Sequence, residues 1–417
     1  MTRRISLFAT SAILRATLAA VVLAAIALVI PPAVAAEDGD ESWQGDTLTE
    51  EELDAGWIRL FDGRTLYGWK AASEVDWRVI DGTIRADQGE VGLLHTTSQW
   101  GDFQLKLDVR SAPGTNSGIF LRTPPRPPHK PGRYYEVNIA DQGTNDFPTG
   151  SLVHRQRAEG THDSADWQTF DITADGGRFR VAIDGREVVD TTDPRPLGRG
   201  YIGLQFRQGR IEFRDIKLRP LNLETIFNGE DLGGWQVIEK FRGEKPTAME
   251  VDVTDEGAIR VTNGPGTLES KGQWKDFVAQ LEIYSAGDEL NSGVFFRTRP
   301  GEDWAGYESQ IHNGYTDGDR NEPSNWGTGG IFRRQQARRI VADDHEWFHK
   351  TINVTDRHIA VWVNGIQVSD FTDRRPPADN ARQGLYDKAG TIQFQGHDPT
   401  TDLRFRDIRV GEVPERG

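Results

Sequence analysis

At 417 residues the chain is long enough for two ordinary domains with their own cores. Its 49 Lys and Arg against 64 Asp and Glu, a net charge of −15, exclude a basic nucleic-acid surface. With no cysteine, disulfides, thiolate chemistry, thiolate metal sites and a lipid anchor on Cys are excluded as well.

Residues 1–36 read as an export signal. Arg3 and Arg4 give a basic start, Thr17 to Ile30 an apolar run, and Ala33-Val34-Ala35 or Val34-Ala35-Ala36 the small residues of a cleavage site. The expected location is the periplasm or outside the cell, with no membrane contact once the signal is removed. An uncleaved anchor is the competing reading, although about 14 apolar residues fall short of the ~20 that a bilayer core requires. Residues 37–55 are acidic and poor in large apolar groups, and are expected to be a disordered, solvated leader.

From Gly56 onward the chain repeats itself. Phe61-Asp62-Gly63 with Leu66 and Trp69 returns as Phe227-Asn228-Gly229 with Leu232 and Trp235. Trp100-Gly101-Asp102-Phe103 returns as Trp274-Lys275-Asp276-Phe277, and Asn116-Ser117-Gly118-Ile119-Phe120-Leu121-Arg122 as Asn291-Ser292-Gly293-Val294-Phe295-Phe296-Arg297. Tyr135-Glu136, Thr149-Gly150, Trp167, Ile183-Asp184-Gly185 and Phe213-Arg214-Asp215-Ile216 are answered by Tyr307-Glu308, Thr328-Gly329, Trp347, Val363-Asn364-Gly365 and Phe405-Arg406-Asp407-Ile408. The spacing between matched residues grows from 166 at Phe61/Phe227 to 192 at Phe213/Phe405, so the second copy carries insertions on an unchanged order of elements. Such a long period means duplication of whole domains, 56–220 and 221–412, with 413–417 as a tail.

Within each copy the hydrophobic period is two. Phe103, Leu105, Leu107 and Val109 alternate with polar residues, and so do Phe277, Ala279, Leu281 and Ile283 less strictly. Asp184-Gly185 and Asn364-Gly365 sit between alternating runs, a strong signal for hairpins with type I′ turns. With no long amphipathic helix after the signal, the fold class is all-β: two tandem jelly-roll sandwiches. The recurring tryptophans Trp69, Trp235, Trp100, Trp274, Trp167 and Trp347 are expected in the cores.

In their joint order, seen twice, these markers resemble the 3-keto-disaccharide hydrolase domain family, which has a concanavalin A-like (lectin/glucanase) fold. The resemblance implies a saccharide ligand or substrate and places a sugar cleft on a concave sheet. It departs from the family pattern at Asn138, where the second copy keeps the family's Gln310.

On a strand beginning at Tyr307, period two puts Glu308, Gln310 and His312 on one face, and it puts Arg297 on the face of Phe295. The alternatives are a solvated outer face and an arginine lying over apolar surface with its head in water. Cleavage beside a 3-keto group needs a base near C2 and a cation or donor facing the enolate oxygen, whether by elimination and hydration or by direct hydrolysis. The expected roles are Glu308 as base, Arg297 as clamp, His312 as acid, and Gln310 and Asn291 as hydroxyl binders. In the first copy Arg122, Glu136, Asn138 and Asn116 hold the same places, with the second domain the expected catalyst. Trp304 and Trp326, found only in enlarged loops, are candidate stacking platforms. Asp317 and Asp319 alternate as calcium ligands do, so calcium is the one cofactor considered, against a plain solvated loop. A non-catalytic pair of glycan-binding modules is the alternative function on this fold.

Overall fold

The computed structural model describes residues 47–128, 132–140, 146–159 and 166–416. The expected signal and the first part of the leader lie outside the described residues. Among them the chain forms two β-sandwiches, each an eight-stranded sheet facing a five-stranded one, with one small extra hairpin. In the first sandwich the smaller sheet runs in the order Trp69–Ala71, Gly92–Thr96, Tyr201–Phe206, Asn116–Thr123, Tyr135–Ala140. In the second the order is Trp235–Val237, Gly266–Ser270, Thr391–Gly396, Ser292–Thr298, Tyr307–Ile311. All named pairs in these sheets are antiparallel.

Alternation in sequence becomes alternation in burial where one sheet face meets water. Phe103–Ser111 alternates buried and half-buried positions along its whole length. The predicted hairpin turns are present, with φ of 50° and 77° at Asp184 and Gly185 and 46° and 75° at Asn364 and Gly365.

The counterpart Phe277–Ser285 is buried on both faces over most of its length, because the first sandwich packs against its outer side. Val278, Ala360 and Trp362 of the second sandwich join the first sandwich's core. Trp362 packs 5.6 Å from Trp100 and donates its indole N–H to the Arg59 carbonyl at 2.9 Å. Burying such a ring contributes on the order of 2–3 kcal/mol. Arg199 adds a bridge, reaching Asp276 and Asp356 at 2.7 Å each.

Two expectations are corrected. The end of the leader is ordered: Thr49 and Glu52 form a capping box over a helix, Glu50–Asp54. Glu52 pairs with Lys217 at 2.6 Å and Leu48 is buried, so this segment is fixed by a strand of the first sandwich, not solvated. Trp167 and Trp347 are only half-buried on the outer faces, where Arg110 and Arg214 cover one and Arg406 the other at 4.0–4.6 Å. Trp274 is also half-buried, while Trp69, Trp100 and Trp235 lie in the cores as expected.

Candidate functional site

The repeated Asn-Ser-Gly strand lies next to the edge strand of each smaller sheet, and its outer side contributes to the cleft, but its arginine does not. Arg122 and Arg297 both have φ of 49°, in the left-handed region, at a break in strand register. The alternation fails there and the side chain turns away from the cleft. Arg297 donates Nε to the Lys275 carbonyl at 2.6 Å, Nη1 to the Asp356 carbonyl at 2.8 Å, and Nη2 to Asp276 at 2.8 Å. Arg122 repeats this with the carbonyls of Gly101, Gly176 and Leu197 and with Asp102. Both are at most 2 % exposed, so each guanidinium is a buried frame element with its donors committed. The expectation that Arg297 clamps substrate, and that Arg122 lines the other cleft, is therefore corrected.

The glycine of the motif explains the strand's place in the cleft. A Cβ on Gly293 would lie 2.7 Å from Cγ and Oε1 of Glu308, so only glycine lets that carboxylate lie across the neighbouring strand. Gly118 stands in the same relation to Glu136, at 2.9 Å.

Around Glu308 the second sandwich assembles a polar cluster. Tyr307 and Ile311 point into the core, so Glu308 and Gln310 face outward. Glu308 is 4 % exposed, and its Oε2 accepts from Arg382 Nη2 at 2.7 Å. Burial pushes its carboxyl above the usual range, against the pull of Arg382. Gln310 donates to Asn291 at 3.0 Å, and Asn291 in turn donates to His397 Nε2 at 2.9 Å. That leaves His397 with its proton on Nδ1, which faces Asp398 at 2.7 Å. Burial alone would raise Asp398, but hydrogen bonds from Thr400 and His397 hold it below its ordinary value.

Aromatic rings wall this cluster. Trp304 stacks nearly parallel to His397, with centroids 6.0 Å apart and planes at 9°, and lies over Phe295 at 6.4 Å. Its carbonyl accepts from Arg382 Nε at 2.8 Å. The Arg382 guanidinium lies over Phe295 and Phe332, and Trp326 meets Phe332 edge-on at 5.9 Å. Both loop tryptophans thus border the cleft. The side-chain oxygens Gln310 Oε1 and Gln395 Oε1 are buried without a hydrogen-bond partner among the described residues, which leaves two unused acceptors beside the cluster.

Other expected residues lie elsewhere. His312 is buried, accepts at Nδ1 from the Gly314 N–H at 3.1 Å, and is pushed below its usual pKa by burial. Its neighbours are Glu289 and Asp344, not Glu308. Asp317 and Asp319 are exposed, and Asp319 spends an oxygen on Asn321 of its own loop. Among the described residues, the three-ligand cluster is instead Asp54, Glu282 and His349, whose ligand atoms lie within 4.8 Å of one another.

In the first sandwich the matching face is simpler. Gly203 stands where Gln393 stands, since each pairs with the phenylalanine of the Asn-Ser-Gly strand, Phe120 or Phe295. Continuing that register puts Arg207 at the place of His397 and Gln208 at that of Asp398. Among the described residues no arginine hydrogen-bonds the Glu136 carboxylate as Arg382 does that of Glu308, and burial pushes it up to about 7 against the pull of Arg207. Asn138 is buried and donates to the Phe147 carbonyl, while Asn116 is half-exposed and its N–H pairs with Gln208.

Arg382, His397 and Asp398 were missed by the strand periodicity because they lie in loops. One signal was present: matched spacing grows from 180 at Ile183/Val363 to 192 at Phe213/Phe405, marking an insertion. That insertion is residues 373–390, which carry Arg382, against 193–200 in the first copy.

Beneath the cleft, Lys350 points into the second core and is 1 % exposed. Its Nζ donates to the Gln310 carbonyl at 2.8 Å, and burial pushes its pKa down to about 7 against the attraction of Glu308.

Solved structures similar to the chain include a glycosyl-hydrolase-type protein of Parabacteroides distasonis, at 20 % identity and TM-score 0.38, over 43 % of this chain and 100 % of that one. A carbohydrate-binding module of Bacillus subtilis matches at 17 % and 0.30, over 36 % and 95 %. A Bacillus licheniformis β-glucanase matches at 14 % and 0.32, over 45 % and 96 %. No curated protein matches the sequence. The model of one family, described as the 3-keto-alpha-glucoside-1,2-lyase-like domain, matches twice, over residues 56–219 and 222–411. The two matches cover nearly all of both sandwiches, and the chain belongs to that family.

Proposed function

We propose that the second sandwich cleaves the glycosidic bond of a 3-keto-glucoside by elimination, and that the first holds saccharide without cleaving it. The observation that carries this reading is the His397–Asp398 pair, with Nε2 free of a proton and facing the cleft amide Asn291 beneath Trp304. A hydrogen on C2 is acidified by the adjacent C3 carbonyl. His397 Nε2 takes that proton, the C2–H electrons form the enolate, and the C3 oxygen gains negative charge opposite Arg382. The enolate then collapses to a C1–C2 double bond as the C1–oxygen bond breaks. The leaving oxygen receives the proton that His397 Nε2 took from C2, and addition of water to C1–C2 would give the free keto-sugar.

Glu308, buried and bound to Arg382, acts in this reading by holding the guanidinium in place. The first sandwich has the carboxylate and the aromatic floor but neither the His–Asp pair nor the Arg382 loop, which suits binding alone.

The test is turnover of a 3-keto-disaccharide by the full chain in deuterium oxide. Elimination and rehydration put solvent deuterium on C2 of the product, whereas direct hydrolysis leaves C2 as it was. His397→Ala is expected to lower turnover by about a hundredfold or more. Undiminished turnover in that variant removes His397 from the reaction.

A further inference from the structure

Away from the cleft, a cavity of about 370 Å³ lies on the first sandwich. Its wall carries Arg122, Arg126 and Arg133 together with Pro124 and Leu197, and it is completed by Arg416 from the far end of the chain. Among the described residues no Asp or Glu lines it, in a protein with a net charge of −15. Arg122 is floor only, since its donors are committed. Arg126 uses Nε on the Ala72 carbonyl, leaving its terminal nitrogens. Among the described residues, no carboxylate forms an ion pair with Arg126, Arg133 or Arg416.

Arg416 is delivered there by a fitted seam. After the Val413 N–H donates to the Asp276 carbonyl of the second sandwich at 2.9 Å, the last residues cross onto the first, where Val413 joins the core and the Gly198 N–H donates to the Arg416 carbonyl at 3.3 Å. A Cβ on Gly101 would lie 2.7 Å from the Pro414 ring, and one on Gly198 would lie 1.8 Å from the Glu415 carbonyl oxygen. Residues 413–416 are therefore a docked strap, not a loose tail.

We propose that this composite cavity binds a small ligand through an oxyanion group, a carboxylate, sulfate or phosphate. Three guanidinium groups from two parts of the chain converge on one space, and their planar donors match such groups two at a time. The proline and leucine walls suit the carbon body of the ligand. The site is separate from the cleft and does not depend on the reaction assigned to it.

Calorimetric titration of the full chain at low salt, with glucuronate, inorganic phosphate and glucose, tests the proposal. Binding of glucuronate or phosphate, weakened by added salt, with none for glucose at this site, is expected. Tighter binding of glucuronate names an acidic sugar as the source; tighter binding of phosphate names the free ion. Arg133→Gln with Arg416→Gln should weaken the anion at least tenfold. Gly198→Ala, which displaces the strap without touching an arginine, should weaken it as well. The double arginine variant should leave turnover of a keto-disaccharide unchanged. Anion binding that is absent in the wild type, or as tight in the double arginine variant, overturns the proposal.

Discussion

Replacing Lys350 by Met should make the protein more stable at neutral pH, and the gain should depend on pH. The lysine is fully buried, with its Nζ on the Gln310 carbonyl and its pKa pushed from 10.5 to about 7. Its folded pKa is thus below its unfolded one, so between pH 7 and about 10.4 the unfolded chain binds more protons and wild-type stability rises with pH. Below pH 7 the whole penalty is present. A depression of roughly three to four units corresponds to about 4–5 kcal/mol. Losing the charged hydrogen bond to Gln310 returns about 1.5–3 kcal/mol of that. Lys350→Met should therefore be more stable by about 1–3 kcal/mol at pH 6, and the gap should close and reverse toward pH 10. Urea unfolding at pH 6, 8 and 10, compared by midpoint at equal slope, measures it. A variant less stable than wild type at pH 6, or a gap that does not change with pH, would refute the reasoning.

Two further substitutions separate frame from cleft. Arg297→Met takes one buried cation from Asp276 and removes the donors of the Lys275 and Asp356 carbonyls, and should lower the unfolding free energy by about 3 kcal/mol or more, with Arg122→Met costing a similar amount. A stable Arg297→Met protein that has lost only saccharide binding would return Arg297 to the cleft. Gly293→Ala drives Glu308 off its strand and should abolish most turnover at a stability cost of about 1–3 kcal/mol. Gly118→Ala, its counterpart under Glu136, should leave turnover intact; equal loss in both would show that the two clefts act together.

The parts of the molecule that follow from local rules were legible in the sequence. Alternation at Phe103–Ser111 and positive φ at Asn364-Gly365 depend on neighbours a few residues apart, and the duplication with its insertions shows as the same motifs repeated in order. Glu308 and Gln310 were placed on the right face by period two, and Trp304 and Trp326 were marked by standing in the added loops. Arg297 was not legible, because nothing in Phe-Phe-Arg-Thr announces that an arginine takes a left-handed conformation. The pairing of Glu308 with Arg382 spans 74 residues and ends in an irregular loop, where no period exists to be read.

The buried Arg–Asp pair shows how the copies were built to be joined. In each, one carboxylate oxygen is shared between the arginine and a backbone N–H: Asp102 takes Arg122 and Gly176, and Asp276 takes Arg297 and Asp356. The second oxygen is spent differently. Asp102 accepts from Asn222 at 2.8 Å, which pins the linker where the chain passes from one sandwich to the next. Asp276 accepts from Arg199 of the first sandwich at 2.7 Å. The same frame acid thus fixes the linker in one copy and the inter-sandwich contact in the other. Arg199 also ties down Asp356, whose carbonyl holds Arg297. Movement between the sandwiches would then loosen the strand end that follows Phe295, on which Trp304 and Arg382 lie. The joint between the copies is in this way part of what holds the second cleft in shape.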